Sequence, residues 1–489
     1  MSILPSSAPS QAYIDGRSVD AESGDTLDVV APGRGTVVAS VADCGEVDVA
    51  RAASSARRAF EAGVWRDRSP QERKAVLQRF AGLMEEDARD LALMDSVSAG
   101  KPITDCLDGD VPDSVDTLRW YAEIADKLYD KMAPADASSL ALVTREPIGV
   151  VAAVLPWNFP CTMAAIKLGP ALVAGNSVIV KPAKQTPFSA IRMAQLASEA
   201  GLPDGVLNVV PGRGEVAGRV LGLSGDVDAV TFTGSTEVGR GFLKYAASSN
   251  LKRVMLECGG KSPQIILDMR DDLEYVAGQL ADAAFHNSGQ NCTAGSRILV
   301  ERSIHREVVD ALAAAASDLV VGDPLDPATQ LGAIIDGEAL RRILGYVTDA
   351  ERAGARVVCG GRRILEETGG WFIGPTILDG VTPDMAVARE EIFGPVVSIV
   401  AFETEEEAVR LANDSEYGLA ASVYSSDLER AYRVARRVRA GTVSINCYRE
   451  GDATVPFGGY KTSGFGGRDL GIEALDQFTE VKTILAELR

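Results

Sequence analysis

Short runs of β-branched and other apolar residues alternate with helical stretches along this chain, and the alternation constrains the fold more than any other feature. From residue 141 to residue 260 the runs lie in LALVTREPIGVVAAVLPWNFP, NSVIVKPA, GVLNVVPG and AVTFTGS. A second series follows Gly260, in SPQIILD, SRILVER, ARVVCGG and SIVAFE. Strands that are apolar throughout and are separated by helices are typical of parallel sheets covered on both faces. The pattern therefore predicts two α/β halves that join near residue 260.

The N-terminal region has a different periodicity. Over residues 45–128, apolar residues recur every three or four positions in EVDVARAASSARRAFEAG, SPQERKAVLQRFAGLMEEDARDLALMDSVSAGK and DSVDTLRWYAEIADKLYD. This spacing predicts helices, and Ser69 followed by Pro70 is typical of an N-cap and a first helical position. Because 489 residues exceed what one hydrophobic core organises, two or three domains are expected.

The charge and cysteine content argue against several classes of protein. A net charge of −20 provides no basic face for phosphate contacts, so no nucleic-acid partner is expected. No apolar run approaches the ~18 residues of a membrane helix, and the start MSILPSSAPSQAYIDGR lacks the pattern of a signal peptide. The seven cysteines are widely scattered, which favours a reducing cytoplasm over a disulfide framework. With two histidines in the chain, neither a metal site nor a Ser–His–Asp triad is predicted.

Cys292 is a candidate nucleophile. It lies in HNSGQNCTAGSR, where small or polar neighbours give a substrate carbon access to the thiol and supply N–H groups for an oxyanion. The alternative is a buried structural cysteine, and this segment alone favours neither interpretation. Glu257 ends the apolar run VMLE, where partial burial raises the pKa of a carboxyl group toward that of a general base. Its alternative is a strand-end glutamate that reaches solvent.

Two glycine-containing loops are candidates for nucleotide binding. PGRGEVAG, which contains Gly214, follows an apolar run and formally matches G-x-G-x-x-A. TGSTEVGR, with Gly234 and Ser235, follows the next run and precedes a helix whose free N–H groups suit a pyrophosphate. Either loop alone is also an ordinary strand-to-helix turn, but two in one βαβαβ series favour a nucleotide cofactor. ECGGKS lacks the first glycine of a P-loop and is excluded as one.

Several segments together resemble the aldehyde dehydrogenase superfamily over essentially the whole chain. In order they are PWNFP at 156–160, KPA at 181–183, FTGSTEVG at 232–239, LECGGKSP at 256–263, GQNCTAGSR at 289–297, EEIFGPV at 390–396 and PFGGYKTSG at 456–464. Within the superfamily, GKPI, RWYAEIADKLYD and GDATVPFGGYKTSG are most similar to bacterial aminoaldehyde dehydrogenases of the γ-glutamyl-aminobutyraldehyde and guanidinobutyraldehyde type. The resemblance implies an enzyme that oxidises an aldehyde to a carboxylic acid with NAD or NADP.

The resemblance also implies a role for each matching residue. Cys292 corresponds to the nucleophile, Asn158 to the side-chain donor of the oxyanion hole, and Glu257 to the base that activates water for thioester hydrolysis. Lys167 and Asp469 correspond to a proton relay. The expected cofactor contacts are Pro156, Trp157, Lys181, Lys184, Gly214, Gly234, Ser235, Gly259, Glu391 and Phe393. The expected substrate channel is lined by Asp110, Asp113, Ile166, His286, Asn291, Thr293 and Glu450.

Some positions depart from the family pattern. Lys184 replaces a glutamate that usually binds the adenosine ribose, and a lysine there attracts a 2′-phosphate, so NADP is expected to be accepted. Ile166 and His286 replace aromatic residues of the channel, which predicts a wider or more polar channel. The turn SGFGGRDLG, which contains Asp469, carries one more glycine than the resemblance leads us to expect.

The fold implied by the resemblance is α/β, with two Rossmann-like parallel-sheet domains and a small bridging β arm. Residues 1–130 and 148–260 are expected to form the cofactor-binding domain, and residues 261–462 the catalytic domain. Residues 131–147 and 476–489 are expected to form the arm. Because exposed strands need partners, the arm predicts a homo-oligomer, either a dimer or a tetramer.

An aminoaldehyde is the expected substrate. The acidic segments DCLDGDVPDSVD and CYREGD are expected at the channel mouth, where carboxylates attract a cation, although an acidic surface on an acidic chain is a simpler explanation. Ile166 and His286 support a bulkier or aromatic aldehyde as the alternative, and an acidic semialdehyde is a further one. A cofactor-free hydrolase that uses Cys292, Glu257 and a lysine is the alternative from another enzyme class, and the glycine loops and EEIFGPV disfavour it. A non-catalytic protein on the same fold is disfavoured by the intact candidate residues.

Overall fold

The computed structural model describes residues 3–449 and 451–488, and this part of the chain contains two large sheets. The first sheet has eight strands, which in spatial order are Arg17–Val19, Ala12–Ile14, Leu207–Val209, Ser177–Lys181, Val150–Val154, Ala229–Thr233, Arg253–Glu257 and Gly464–Phe465. The second sheet has seven strands, which in spatial order are Arg356–Cys359, Thr376–Asp379, Val396–Phe402, Arg297–Glu301, Pro263–Asp268, Ala420–Ser425 and Thr442–Ile445. The central strands of both sheets are parallel, and the antiparallel pairs lie at the edges.

Helices cover these sheets. The α-helices are Glu46–Glu61, Pro70–Glu86, Ala88–Ala99, Ile103–Asp105, Val111–Ile124, Pro160–Ala174, Phe188–Glu199, Arg219–Leu223, Thr236–Ala247, Leu273–Phe285, His305–Ser317, Gly337–Arg352, Ala386–Arg389, Glu405–Asn413 and Leu428–Ala435. Because helices pack on both faces, strands Val150–Val154, Ser177–Lys181 and Ala229–Thr233 are buried along their whole length. The parallel α/β architecture predicted from the apolar runs is confirmed.

The predicted N-cap at Ser69 is confirmed by a reciprocal pair of hydrogen bonds. The N–H of Glu72 donates to the Ser69 hydroxyl at 3.3 Å, and the N–H of Ser69 donates to the Glu72 carboxylate at 2.8 Å. The helical segment that follows Ser69 is not one helix. Asp87 separates two helices, since it is the C-cap of Pro70–Glu86 and the N-cap of Ala88–Ala99.

The strand order of the first sheet creates a crevice at its carboxyl edge. Strand Val150–Val154 lies between Ser177–Lys181, to which the chain runs next, and Ala229–Thr233, which comes later in the chain. The chain therefore leaves this strand first to one side and later returns on the other. In an open parallel sheet such a switch point is where ligands bind, beyond the carboxyl ends of the strands.

A third sheet corresponds to the predicted arm. Its antiparallel strands are Thr479–Glu487, Ser139–Pro147 and Lys131–Ala133. Along the edge strand, every residue after Thr479 is exposed. Two smaller pairs, Thr26–Ala31 with Thr36–Ala42 and Arg363–Ile364 with Phe372–Ile373, complete the described strands. Among the described residues, no helix has the length and apolar character needed to cross a membrane.

Candidate active site

A cavity of about 780 Å³ has Cys292 in its wall. The rest of its wall comes mainly from the segment 104–120, from helices Pro160–Ala174 and Leu273–Phe285, and from the segment that follows Tyr448. Cys292 is half-buried and is the cysteine that lines this cavity among the described residues. The thiol is therefore accessible from the cavity, whereas Cys44, Cys106, Cys161 and Cys258 are buried.

The loop that carries Cys292 has an unusual backbone conformation. After helix Leu273–Phe285, the residues Asn287, Ser288 and Gly289 have φ values of 50°, 55° and 68°, all in the left-handed region. Asparagine tolerates this region better than most residues, and glycine tolerates it best. A Cβ on Gly289 would lie 2.2 Å from the carbonyl oxygen of Gly394, so the position also requires glycine for space.

Asn158 connects the first sheet to this loop. It follows strand Val150–Val154, is 5% exposed, and donates from Nδ2 to the carbonyl oxygen of Gln290 at 2.9 Å. Gln290 precedes Cys292 by two residues. The side chain of Gln290 anchors the same loop, because its Oε1 accepts the N–H of Ile335 at 2.9 Å. The predicted oxyanion donor and the predicted nucleophile therefore lie on adjoining loops.

Two glycines allow close contact between the end of strand Arg253–Glu257 and the Cys292 loop. A Cβ on Gly260 would lie 2.3 Å from the carbonyl oxygen of Cys292. A Cβ on Gly259 would lie 2.2 Å from the carboxylate of Glu391, which accepts the N–H of Gly260 at 3.0 Å. No larger residue fits at either position without displacing one of these partners.

Glu257 lies at the end of its strand in a buried charged cluster. Its carboxylate is close to Gly458, where a Cβ would approach to 2.5 Å. Burial, and then the nearby Asp469, raise the pKa of Glu257 well above its usual value, while Lys167 and Arg468 lower it. Lys167 and Asp469 form an ion pair of 2.5 Å and are nearly inaccessible. The structure thus brings together Glu257 and both members of the predicted proton relay, despite the additional glycine in the turn.

The residues on either side of Cys292 contact one tyrosine. Asn291 donates to the hydroxyl of Tyr448 at 3.2 Å, and the hydroxyl of Thr293 lies 2.8 Å from the same oxygen. Asn291 and Tyr448 line the cavity, as predicted for Asn291. Thr293 is fully buried, so the prediction that it lines the channel is corrected. It supports the wall through Tyr448 instead of facing the cavity.

The cavity wall is strongly acidic. Among the described residues it contains seven aspartates and one arginine, namely Asp105, Asp108, Asp110, Asp113, Asp116, Asp282, Asp452 and Arg449. Burial raises the pKa of Asp105 to about 6, with Lys101 acting in the opposite direction. Asp113 is exposed to the cavity, and Glu450 lies outside the described residues. The excess of carboxylates gives the wall a negative potential near neutral pH.

Asp110 differs from the other carboxylates because its charge is already compensated. It is 7% exposed and lies 2.7 Å from the ammonium of Lys101, which is completely buried. The same ammonium lies 3.8 Å from the centre of the Phe159 ring, a cation–π contact. Asp110 lines the cavity as predicted, but its main partner is Lys101.

His286 closes another part of the wall. Its ring stacks on Phe159 at a centroid distance of 6.1 Å, and its Nδ1 lies 3.9 Å from Asp105. Burial, and then Lys101, lower the pKa of His286 to about 3, so the ring is neutral. Ile166 also lines the cavity and is 6% exposed. Both residues therefore contribute to the wall of this cavity.

The residues predicted to bind the cofactor converge on the switch point of the first sheet. Gly234 and Ser235 connect strand Ala229–Thr233 to helix Thr236–Ala247, and the Ser235 hydroxyl accepts the N–H of Val238 at 3.4 Å. The first N–H groups of this helix are suited to a pyrophosphate. Lys181 ends the neighbouring strand, and burial lowers the pKa of its ammonium to about 8.

Further predicted cofactor residues lie on the loops around this crevice. Pro156 and Trp157 follow strand Val150–Val154, and the Trp157 ring packs edge-on against Phe393 at 5.3 Å between centroids. Lys184 is exposed and contributes to the lowered pKa of Lys181. Gly214 begins the exposed start of a π-helical turn. A helix N-terminus, a nearby ammonium, an aromatic pair and the Glu391 carboxylate together fit the phosphates, hydroxyls and ring of a nicotinamide dinucleotide.

Comparison with known proteins identifies the family. The sequence model of the aldehyde dehydrogenase family matches residues 18–484. The chain is 50% identical to the aminoacetaldehyde dehydrogenase of Pseudomonas aeruginosa, over 97% of this chain and 95% of that protein. The chain belongs to the aldehyde dehydrogenase family.

Solved structures agree with this assignment. The γ-glutamyl-γ-aminobutyraldehyde dehydrogenase from Burkholderia cenocepacia superposes with a TM-score of 0.96 at 54% identity, covering 99% of this chain and 97% of that one. An indole-3-acetaldehyde dehydrogenase solved with NAD⁺ superposes with a TM-score of 0.97 at 49% identity, covering 98% of this chain and 97% of that one. The predicted enzyme class, an NAD(P)-dependent aldehyde dehydrogenase, and its fold are confirmed.

Sequence reasoning missed several residues of this aldehyde dehydrogenase site. Asp282 precedes His286 by one helical turn, and this spacing could have placed both on one face. Asp105 begins the acidic segment that the sequence places at the channel mouth, but it is not among the channel residues that the sequence predicts. Lys101 lies nine residues before Asp110 and Tyr448 lies in the segment CYREGD, but no local pattern predicts that Lys101 pairs with Asp110 or that Tyr448 contacts Thr293, 155 positions away.

We expect Asp110→Asn to reduce stability more than it affects substrate selection. The substitution leaves the buried Lys101 ammonium without its counter-charge, a change that costs about 3–5 kcal/mol of unfolding free energy. Urea denaturation at a fixed protein concentration measures this loss. The matched control is Asp113→Asn, whose exposed carboxylate should alter the free energy of unfolding by less than about 0.5 kcal/mol. Equal stability of the two variants would contradict the role of the buried ion pair.

Proposed function

We propose that this enzyme oxidises an aminoaldehyde to the corresponding carboxylic acid with NAD or NADP, through covalent catalysis by Cys292. The observation that carries the proposal is the accessible thiol of Cys292 in an acidic cavity, next to the loop held by the Asn158 amide. The relatives supply the reaction class, and the charges of the wall supply the substrate class.

Cys292 begins the reaction by attacking the aldehyde carbon as a thiolate. The carbon–sulfur bond forms as the carbonyl π electrons move to oxygen, giving a thiohemiacetal oxyanion. The Asn158 Nδ2 group and the backbone N–H of Cys292 donate to this oxygen, where charge develops in the transition state. When bound, a nicotinamide cofactor would supply the hydride acceptor, and loss of hydride from the same carbon as the oxyanion collapses leaves a thioester on Cys292.

Glu257 completes the reaction by removing a proton from a water molecule that attacks the thioester. The carbon–sulfur bond then breaks, its electron pair stays on sulfur and regenerates the Cys292 thiolate, and the carboxylic acid leaves. The proton on Glu257 passes toward Lys167 and Asp469, whose buried ion pair lies in the same cluster. Because its pKa is raised, Glu257 holds a proton more readily than an exposed glutamate, which suits a group that must both take and release one.

The residues of this chain also hold the cofactor in place. Helix Thr236–Ala247 would present its first N–H groups to the pyrophosphate, and Lys181 would interact with the adenosine ribose. Glu391, which accepts the N–H of Gly260, would bind the nicotinamide ribose, and Phe393 would pack beside it. Lys184 would place a positive charge near the adenosine ribose in place of a carboxylate, so a 2′-phosphate would not be repelled.

The acidic wall favours a substrate with a positive charge at the end opposite the aldehyde. Asp105, Asp113 and Asp282 face the cavity that contains Cys292, whereas Asp110 is paired with Lys101. Coulomb attraction therefore favours an ω-amino, guanidino or γ-glutamylamino aldehyde. The names of two relatives, an aminoacetaldehyde dehydrogenase and a γ-glutamyl-γ-aminobutyraldehyde dehydrogenase, support the same class.

An aromatic aldehyde is the second candidate substrate. The cavity contains the rings of Trp120, Phe159, Tyr448 and Phe457, which provide flat apolar surface. A relative with 49% identity is an indole-3-acetaldehyde dehydrogenase. Packing against such side chains gives an aromatic substrate binding free energy, but an uncharged ring has no charge to interact with the aspartates.

The assembly and location of the enzyme are also part of the proposal. The exposed edge strand Thr479–Glu487 supports a homo-oligomer, a dimer or tetramer, in which another subunit covers the arm. Residues 1–130 with 148–260 form the cofactor-binding domain and residues 261–462 the catalytic domain, with the arm at 131–147 and 476–489. The described cysteines form no disulfide, which suits the reducing cytoplasm.

We expect Glu257→Gln to separate the two chemical steps. Hydride transfer does not require Glu257, so a single-turnover burst of reduced cofactor remains, while steady-state turnover falls by about 10²- to 10⁴-fold. Rapid mixing with detection of reduced cofactor measures both phases. Cys292→Ala is the control, because without the thiol there is neither a burst nor turnover. Loss of the burst in Glu257→Gln would assign Glu257 to the first step instead.

We expect the charge of the substrate to decide kcat/KM. An ω-aminoaldehyde of about four carbons is preferred over the uncharged aldehyde of equal length, an acidic semialdehyde and benzaldehyde, and added salt reduces this preference. Asp113→Asn lowers kcat/KM for the cation by up to about fivefold, since an exposed pair is worth about 0–1 kcal/mol. Asp25→Asn, an equal change of net charge away from the cavity, is the control.

The same preference depends on pH through Asp105. A carboxyl group with a pKa of about 6 loses its charge as the pH falls through that value, so the ratio of kcat/KM for the cationic and uncharged aldehydes decreases below pH 6. Taking the ratio removes the contribution of Glu257, which affects both substrates. A preference for benzaldehyde, or a ratio that is insensitive to both salt and pH, would contradict the aminoaldehyde assignment.

We expect Lys184→Glu to shift cofactor preference toward NAD. The substitution replaces attraction of the 2′-phosphate with repulsion, and each exposed pair contributes about 0–1 kcal/mol. The measurement is the ratio of kcat/KM for NADP and NAD at one ionic strength. Lys184→Gln removes the attraction without adding repulsion and is expected to give an intermediate ratio. An unchanged ratio in both variants would place the Lys184 side chain out of reach of the ribose.

A further inference from the structure

Asn287 lies where the two loops of the candidate oxyanion site meet. It is 2% exposed and donates from Nδ2 to the carbonyl oxygen of Asn158 at 3.0 Å and to that of Gln290 at 3.3 Å. The first contact holds the loop after strand Val150–Val154, and the second holds the loop that leads to Cys292. One side-chain amide therefore connects both segments that contribute groups to the oxyanion site.

The orientation of this amide follows from its partners. Both neighbouring groups are carbonyl oxygens, which accept hydrogen bonds and donate none, so the nitrogen of Asn287 must face them. The same argument applies to Asn158, whose Nδ2 faces the carbonyl oxygen of Gln290 at 2.9 Å. One N–H of Asn158 is used in this contact, which fixes the plane of its amide and the direction of its second N–H.

The backbone explains why asparagine stands at position 287. Its φ and ψ of 50° and 36° lie in the left-handed region, where asparagine is the best tolerated residue that also carries an amide. Glycine would accept the same backbone but has no side chain to join the loops. The position requires a left-handed backbone and a buried side-chain donor between two carbonyl oxygens, and asparagine meets both requirements.

We propose that Asn287 is a positioning residue for the oxyanion site: it holds the Asn158 amide in register with Cys292. The inference rests on the proposed function, in which Asn158 stabilises the oxyanion. Asn287 acts through Asn158 and does not touch the substrate. Its loss allows the two loops to separate, so the amide no longer points at the oxygen on which charge develops.

The test is a double-mutant cycle in the full-length enzyme. Asn287→Gly keeps the left-handed backbone and removes both hydrogen bonds, and we expect it to lower kcat by about 10- to 100-fold while KM for the cofactor is unchanged. In the Asn158→Ala background, Asn287→Gly is expected to lower kcat no further, because its target is already absent. Asn287→Asp, of the same shape and also without the two N–H donors, provides the same test if Asn287→Gly does not fold.

Two controls distinguish positioning from a general structural defect. The first control is the rate at which iodoacetamide alkylates Cys292, measured by peptide mass spectrometry. Because this reaction develops no oxyanion, its rate is expected to be the same in Asn287→Gly and the parent enzyme. Ser288→Gly, in the same loop, removes a contact to Gly332 and leaves Asn158 untouched, and kcat is expected to stay unchanged.

The outcomes separate this inference from the proposed function. Full activity of Asn158→Ala would overturn the oxyanion role of Asn158 itself. If Asn158→Ala lowers kcat, two results would overturn the role of Asn287 alone. One is that the effects of the two substitutions on kcat add in the double variant, and the other is that Asn287→Gly keeps full activity. A slower alkylation of Cys292 in Asn287→Gly would show that the substitution displaces the thiol, which would also overturn it.

Discussion

The contact between Gly259–Gly260 and the Cys292 loop is the constraint on which the rest of the site depends. Because neither glycine has a Cβ, the carbonyl oxygen of Cys292 and the carboxylate of Glu391 both approach the backbone directly. This contact brings a loop of the second sheet against the end of a strand of the first sheet. Glu257 precedes these glycines at the same strand end, so one close approach fixes the relative positions of Glu257, Cys292 and Glu391, which are the candidate base, nucleophile and cofactor-binding carboxylate.

Charge is distributed in two ways around the cavity. The buried ammonium groups of Lys101 and Lys167 are paired with Asp110 and Asp469, because an uncompensated charge in the interior is costly. The other carboxylates of the wall are only partly buried or exposed, and water moderates their cost. The carboxylates that face the cavity therefore give its wall a negative potential, which is the property that would select a cationic substrate.

Prediction from the sequence succeeded where the signal was local. The apolar runs predicted the parallel strands correctly, and the short motifs that contain Asn158, Glu257 and Cys292 indicated the family. It failed for Thr293, since a residue next to the nucleophile can point either toward the cavity or toward Tyr448. It also missed Asn287, because its importance depends on two carbonyl oxygens, one of them far away in the chain.

The sequence by itself therefore determined the α/β class and the family, and it supplied the candidates for the reacting groups, because hydrophobic periodicity and motif chemistry are properties of neighbouring residues. Only the tertiary structure decided which aspartates are free to act on a substrate. Asp110 and Asp113 belong to the same acidic segment, yet one is paired with a buried lysine and the other faces the cavity. The difference arises because the chain folds Asp110 onto Lys101, nine residues earlier, and the spacing of the two residues alone does not predict this contact.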